Sequence, residues 1–253
     1  MNALDPVPAR EVTFTATTDV VVVGLGVAGC CAALGAREAG AEVVAPECAG
    51  ATGGTSAMSG GVLYLGGGTS VQRACGFDDT AEGMHRFLEA ALGPGVDADR
   101  LAAYCAGSLE HFDWLVGLGM PFKAAFCDEP NRESSDDSAL IFSGGEDSYP
   151  FDEITPPMAR GHKPQWIDTA GNFLMTKLAE FVARSGAQVT TEARVERLVV
   201  DDGAVVGVIA SIDGTRTAIR ARGGVVLATG GFIHAPSLVQ EHCPLAHRPN
   251  EVW

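Results

Sequence analysis

The sequence is short of basic residues, and it lacks the spacings that mark most metal and thiol chemistry. Seventeen Lys and Arg stand against thirty-two Asp and Glu in 253 residues, a formal charge of −15. That excess repels polyanions, which argues against nucleic acid and anionic membrane surfaces as partners. No apolar run approaches the ~20 residues of a membrane-spanning helix. The start, Met1-Asn2-Ala3-Leu4-Asp5-Pro6, has no basic segment followed by an apolar one. No secretory signal is read there, and the expected compartment is the cytoplasm. The seven cysteines include no C-x-x-C pair, so neither zinc spacing nor a disulfide framework is indicated. Cys30 and Cys31 read as buried free thiols. His234, His242 and His247 lack H-x-x-x-H spacing, and no metal is expected. Ser56 and Ser59 lack the G-x-S-x-G elbow of a serine hydrolase. No internal repeat, low-complexity tract or heptad pattern is present.

What the chain does have is Asp19-Val20-Val21-Val22-Val23-Gly24-Leu25-Gly26-Val27-Ala28-Gly29, with Glu47 following 23 positions after Gly24. The order is strand, glycine turn, helix, strand, acid, as in a dinucleotide-binding βαβ unit. Four valines suit a strand buried on both faces. Gly24 permits the tight turn, Gly26 lets a pyrophosphate approach the backbone, and Gly29 lets helix and strand close up. The helix start offers unpaired N–H groups and a partial positive charge to phosphate. A carboxylate at Glu47 can accept hydrogen bonds from ribose hydroxyls. The glycine pattern alone fits an ordinary glycine-rich turn equally well; the strand, the small-residue helix and Glu47 tip the reading to a nucleotide.

Periodicity and breakers give the remaining organisation. Residues 1–18 read as a loose leader. Strand Val20–Val23, helix Val27–Ala39 and strand Glu42–Ala45 form the first unit, with Pro46 stopping the strand one residue before the acid. Residues 50–70, with Gly53, Gly54, Gly60, Gly61 and Gly66-Gly67-Gly68, are too glycine-rich for ordinary helix or strand and suit backbone wrapped around a ligand. Thr80 caps a helix through Leu92, and Asp97 or Asp99 starts another to about Leu118. Phe87, Leu88, Leu92, Leu101, Phe112, Leu115 and Val116 are expected on the apolar faces. Pro121 to Pro164 is irregular. Asn172–Arg184 is helical, ended by Gly186. Short strands follow at Gln188–Thr191, Arg194–Val200, Ala204–Ser211 and Thr217–Ala221, and a separate buried strand at Gly224–Ala228.

The Gly-Gly-Thr-Ser…Ser-Gly-Gly loop, the meander and the Val-Val-Leu-Ala-Thr-Gly-Gly-Phe element, taken with the first unit, resemble the FAD-dependent fumarate reductase/succinate dehydrogenase superfamily. The likeness is closest to its 3-ketosteroid dehydrogenases and covers about residues 17–240. The resemblance implies an α/β fold: a Rossmann-like, mainly parallel sheet with helices on both faces plus a small antiparallel β-meander. It implies FAD as cofactor. Gly24, Gly26, Val27 and Ala28 would touch the pyrophosphate, and Glu47 the adenosine ribose, with Cys48 beside it. Gly53, Gly54, Thr55, Ser56, Ser59, Gly60 and Gly61 would run past the pyrophosphate and flavin. Backbone at Ala193 and Val195 would hold the adenine, and Ala228, Thr229 and Gly230 would close over the nucleotide. Succinate dehydrogenases bond flavin covalently through a histidine six positions before the final Gly-Gly; Gly54 stands there, which implies noncovalent FAD. Pro46 and Cys48 depart from the family pattern.

The implied activity is α,β-dehydrogenation of a 3-ketosteroid, with the steroid and an electron acceptor as partners. The expected division is a nucleotide-binding domain at 19–75 and 165–253 and a helical, irregular insertion at 76–164. The family's capping substrate domain, its C-terminal flavin segment and most of its catalytic groups are not in this stretch, so no catalytic residue is assigned. Alternatives are a catalytically incomplete FAD-binding fragment, a binary enzyme completed by a second chain, and a fumarate-reductase-like dicarboxylate oxidoreductase. Arg160-Gly161-His162-Lys163, the one compact basic cluster, reads first as a solvated loop and second as an anion-facing group. His85, His111, Tyr104 and Tyr149 read as boundary or half-buried packing residues.

Overall fold

The computed structural model describes residues 5–129, 134–233 and 235–244. Along the chain run β1 (Val7–Pro8), β2 (Ala16–Val23), α1 (Val27–Glu38), β3 (Val43–Pro46), α2 (Gly54–Ala57), β4 (Leu63–Tyr64), α3 (Ser70–Ala74), α4 (Ala81–Leu92) and α5 (Ala98–Leu118). Then come β5 (Phe126–Cys127), β6 (Leu140–Ile141), α6 (Phe151–Ile154), β7 (Gly161–His162), α7 (Gly171–Ser185), β8 (Gln188–Thr190), β9 (Ala193–Asp201), β10 (Ala204–Ile212), β11 (Thr215–Leu227) and α8 (Pro236–His242). Two compact units result: Met1–Thr55 with Val182–Trp253, and Ser56–Phe181. The sequence places the boundaries at 75/76 and 164/165. They fall elsewhere because the glycine loop from Ser56 onward bonds to residues of the second unit, as at Ala170 N–H to Gly60 O.

The first unit is built on a seven-stranded sheet, ordered β1-β9-β10-β11-β2-β3-β8 among the described residues. β11, β2, β3 and β8 run parallel, β9, β10 and β11 form the antiparallel meander, and β1 lies parallel on β9. The expected mainly parallel α/β sheet with a meander is therefore what the chain forms. Val21 and Val22 are fully buried, as an unbroken valine run predicts for a strand covered on both faces. Val21, Val23, Val208, Ile219 and Ala221 share one core cluster, so the parallel and meander parts are sewn together by side chains.

Two expectations here are corrected. The leader expected at 1–18 is not loose over its described part, from residue 5: Val7 and Pro8 pair with Val199 and Val200, and Val12 and Phe14 pack on Val199, Ile209 and Ala218. An apolar residue every few positions was enough to fix the segment to the sheet. The strand at 224–228 is not separate either. β11 runs unbroken from Thr215, and its pairing with β2 shifts between Ala221 and Gly224. The glycines make a bulge there rather than a turn. Pairing with β10 ends at Arg220, so Leu227 lies on an uncovered part and is 57% exposed rather than buried.

In the second unit, α4 and α5 start where the side chains dictate. Thr80 accepts the Gly83 N–H and Asp97 the Arg100 N–H, and Gly119 ends α5 in the left-handed conformation. Met84, Leu101 and Cys105 make their shared core. Phe87, Leu101, Phe112 and Leu115 are buried as expected, whereas Leu92 and Val116 are exposed. Among the described residues, β5, β6 and β7 of the stretch expected to be irregular join β4 of the glycine-rich stretch in a small sheet ordered β4-β7-β6-β5. The glycine-rich stretch also contains one helical turn, α2, and its end carries a full capping box, Thr69 with Gln72, that opens α3.

Candidate nucleotide-binding site

In the first unit the strand-to-helix turn after β2 is held from three sides. Gly24 N–H donates to Pro46 O, Leu25 N–H donates to Glu47 Oε2 at 2.7 Å, and Leu25 O accepts the Gly53 N–H. Gly24 sits at φ +90°, and a Cβ there would lie 2.7 Å from Ala228 O. A Cβ on Gly29 would lie 1.9 Å from Gly24 O and 3.3 Å from the Ala228 side chain. Both glycines are thus required by close approach. Gly26 caps α1 and makes no side-chain cap bond, and Val27 and Ala28 follow as the first turn of the helix. That is the donor arrangement an anion fits.

Glu47, just past the end of β3, is only 7% exposed. Its Oε1 accepts from Ala49 N–H at 2.9 Å and lies 3.4 Å from Cys48 Sγ. An ionised carboxylate has about four acceptor sites, so these bonds leave lone pairs for further donors. Pro46 is the last residue of β3, and the ladder resumes beyond it with Glu47 N–H to Thr190 O. Ala193 N–H donates to Glu47 O, so its backbone faces away from β10. By the two-residue period of a strand, Val195 turns its N–H and C=O to the same edge, where β1 reaches only Val199 and Val200. Ala228 N–H continues the ladder to Val23 O, and Gly230 follows at φ +82°. Gly24, Gly26, Val27, Ala28, Glu47, Cys48, Gly53, Ala193 and Ala228 are therefore neighbours in one unit.

Ser56, Ser59, Gly60 and Gly61 belong to the second unit. Ser59 Oγ donates to Ser56 O and accepts from Gly61 N–H. Gly61, at φ +75°, could carry no Cβ, which would lie 2.5 Å from Ala170 C; a Cβ on Gly171 would meet Ser59 O at 2.2 Å. The loop is stacked backbone on backbone, which only glycine allows.

The basic cluster overturns its first reading. Arg160, His162 and Lys163 are fully buried, not solvated. Arg160 grips Asp79 with Nε at 3.0 Å and Nη2 at 2.7 Å. The guanidinium holds the Asp79 carboxyl below the usual range against the upward push of burial. His162 Nε2 lies 2.8 Å from Thr69 Oγ1 and Nδ1 3.0 Å from Arg160 O. A carbonyl only accepts, so Nδ1 carries the proton and Nε2 accepts from Thr69. Burial pushes this imidazole down to about 4. Lys163 Nζ donates to the carbonyls of Ser134, Asp136 and Asp168. Gln72 ties Thr69, Asp79 and Ala159 together. None of Asp79, Gln72 or Tyr64 stands out in the sequence, since single polar residues carry no spacing signal.

Of the remaining candidates, Tyr104 is 45% exposed and its hydroxyl donates to Tyr64 O, while Tyr149 is 78% exposed rather than half-buried. His85 is half-buried on α4, and His111 stacks on Trp114 on α5. His234 and His247 lie outside the described residues. All seven cysteines are free; burial pushes Cys30 up to about 12 and Cys31 to about 11, so both stay protonated thiols. Among the described residues, no cluster of His, Cys, Asp or Glu could hold a metal ion, and no helix is long and apolar enough to cross a membrane.

Comparison with known proteins places this geometry. A 3-oxo-5-alpha-steroid 4-dehydrogenase of Comamonas testosteroni is 34% identical over 212 residues, covering 82% of this chain and 40% of its own length. A probable fumarate reductase of Shewanella frigidimarina is 32% identical over 222 residues, covering 85% and 32%. The crystal structure of 3-ketosteroid-delta4-(5alpha)-dehydrogenase from Rhodococcus jostii RHA1, in complex with 4-androstene-3,17-dione, superposes with a TM-score of 0.92 at 45% identity, over 95% of this chain and 52% of that one. The chain spans about half or less of the length of these relatives. The family model described as FAD binding domain matches residues 19–251, and the chain belongs to that family, whose cofactor is FAD.

Proposed function

We propose that this chain is the FAD-binding part of a 3-ketosteroid dehydrogenase that desaturates the bond between carbons 4 and 5 of a 5α-steroid. The observation that carries the reading is the TM-score of 0.92 at 45% identity over 95% of the chain with a ketosteroid dehydrogenase of that regiochemistry. The first-turn N–H groups of α1 at Val27 and Ala28, with Gly24 and Gly26, hold the pyrophosphate. Each charge–dipole contact there contributes roughly 0.3–1 kcal/mol. Glu47 accepts the ribose hydroxyls while its remaining lone pairs pin Leu25 and Ala49; Cys48 lies beside the sugar. The open edge at Ala193 and Val195 offers donor and acceptor to the adenine. Gly53, Gly54, Thr55, Ser56, Ser59, Gly60 and Gly61 line the route to the flavin, and Ala228, Thr229 and Gly230 cover it. Gly54 has no side chain to bond to flavin, so FAD is held noncovalently.

Bound FAD supplies a hydride acceptor for the carbon β to the ketone. The proton α to the ketone leaves to a base, and no side chain of this chain is assigned that role. The reading includes a steroid substrate, a separate electron acceptor, a further segment or second chain that completes the site, and a cytoplasmic setting. A dicarboxylate reductase is the second reading, favoured by 32% identity to a probable fumarate reductase.

The purified chain is expected to keep a flavin spectrum through desalting. Supplied with its completing segment, it should oxidise a 5α-3-ketosteroid with an artificial electron acceptor. Apoprotein that takes up no added FAD would refute the nucleotide site. Fumarate reduction by a reduced dye, without steroid turnover, would replace the steroid assignment with the second reading.

A further inference from the structure

Among the described residues of the second unit, three buried side-chain atoms make no hydrogen bond: Tyr64 Oη, Glu146 Oε1 and Arg160 Nη1. They lie in one neighbourhood: the Tyr64 hydroxyl is 3.3 Å from where a Cβ on Gly144 would stand, and the Tyr64 ring and the Arg160 guanidinium both pack on the Phe87 ring. Glu146 Oε2 already accepts the Gly144 N–H at 2.9 Å. Glu146 is also the one buried residue of the turn from Ser143 to Pro150, in which the others are exposed or half-buried. Ser143 rests against Gly161, and Gly144 against Tyr64 and Phe87; beyond them the turn is fastened to the interior of its unit by the Glu146 carboxyl.

Charge decides the state of that carboxyl. One guanidinium, Arg160, serves two buried acids, and Asp79 takes it through Nε and Nη2. The other groups nearby do not supply a second positive charge. His162 is neutral above about pH 4. Cys105 of α5 and Tyr64 of β4 are pushed up by burial and stay neutral. Asp147 beside it and Asp152 and Glu153 of α6 are exposed acids. Phe87 of α4 faces Gly144 with an apolar ring. An ionised Glu146 would leave an uncompensated buried charge. A neutral Glu146 leaves only one unpaired hydrogen, a smaller cost.

We propose that Glu146 is a proton-gated pin: as a neutral acid buried beside Tyr64 it holds the Ser143–Pro150 turn closed, and its ionisation lets the turn open. Burial raises the Glu146 carboxyl above the ordinary range, in line with this. The sign follows from linkage: a raised folded-state value gives closure that is complete at acid pH and lost as pH rises.

Hydrogen exchange of residues 143–150 in the full chain across pH, corrected for intrinsic exchange, tests the pin. Protection should fall by up to tenfold per pH unit above the ordinary carboxylate range and then level off. Glu146→Gln should make the profile flat while leaving α4 protection unchanged. Tyr64→Phe should lower protection of the turn at every pH. A wild-type profile that is flat or rises with pH overturns the proposal, as does a Glu146→Gln profile that matches wild type. The wild-type profile decides the matter even where a variant fails to fold.

Discussion

The tightest joint in the proposed nucleotide site is Gly29 against Gly24, and Gly29→Ala tests it. The added Cβ would stand 1.9 Å from Gly24 O and 2.9 Å from Gly24 C, against the 3.0 Å that such contacts essentially never undercut. Both obstacles are backbone, so α1 and the turn must part by about 1.1 Å. Overpacking of this kind costs typically ~1–3 kcal/mol. The same displacement moves the α1 N–H groups relative to Glu47 and the phosphate position. FAD affinity should fall at least tenfold, equivalent to about 1.4 kcal/mol. The thermal midpoint should drop by roughly 2–4 °C for each kcal/mol lost. Gly35→Ala is the internal control. It lies in the same helix, exposed, with nothing within 4 Å of its added Cβ. Relieved of glycine's backbone entropy, that variant should gain up to ~1 kcal/mol and bind FAD as before. Titration with FAD followed by fluorescence, alongside differential scanning calorimetry, separates the two. A Gly29→Ala protein with wild-type affinity and midpoint would refute the close-approach argument.

Glu47→Gln replaces one acceptor oxygen by an NH2 that opposes the Leu25 or Ala49 N–H. A buried donor left without an acceptor costs about 1–3 kcal/mol, so urea should unfold the apoprotein at lower concentration even before FAD binding is considered. Unchanged apoprotein stability would mean that Glu47 serves the ligand alone. His162, neutral in the fold with its value pushed down to about 4 from 6.5, contributes stability that is complete above about pH 6.5. That contribution is lost as pH falls towards 4 and amounts to about 3 kcal/mol, because each tenfold change in proton affinity is worth ~1.4 kcal/mol. His162→Gln should therefore be less stable at neutral pH but lose less between pH 6.5 and 4; an equal slope in both proteins would exclude His162 as the acid-sensitive group.

The stretch from Val20 to Glu47 was legible because everything it needs is local. A buried parallel strand is written as consecutive valines, and a close approach as glycine. Thr80 and Asp97 announced their helices for the same reason: a cap bonds within three residues. Errors came where a residue's state depends on a distant partner. Val7 and Phe14 looked like part of a leader until β9 and β10 supplied a surface. Gly224–Ala228 read as a separate strand until β2 carried β11 straight through.

The chain's own order thus determined the mononucleotide fold and the backbone cradle, since turn, helix start and acid lie within thirty residues and their spacing is their geometry. Only the tertiary structure decided the fate of Arg160-Gly161-His162-Lys163. Charged residues belong in water unless an opposite charge and enough carbonyls meet them in the interior. Here Asp79 comes from 81 positions away, and the three carbonyls come from two separate loops, Ser134 and Asp136 before β6 and Asp168 after β7. No local pattern encodes such a meeting, because the free energy that makes burial acceptable arises from partners that only the folded chain brings together.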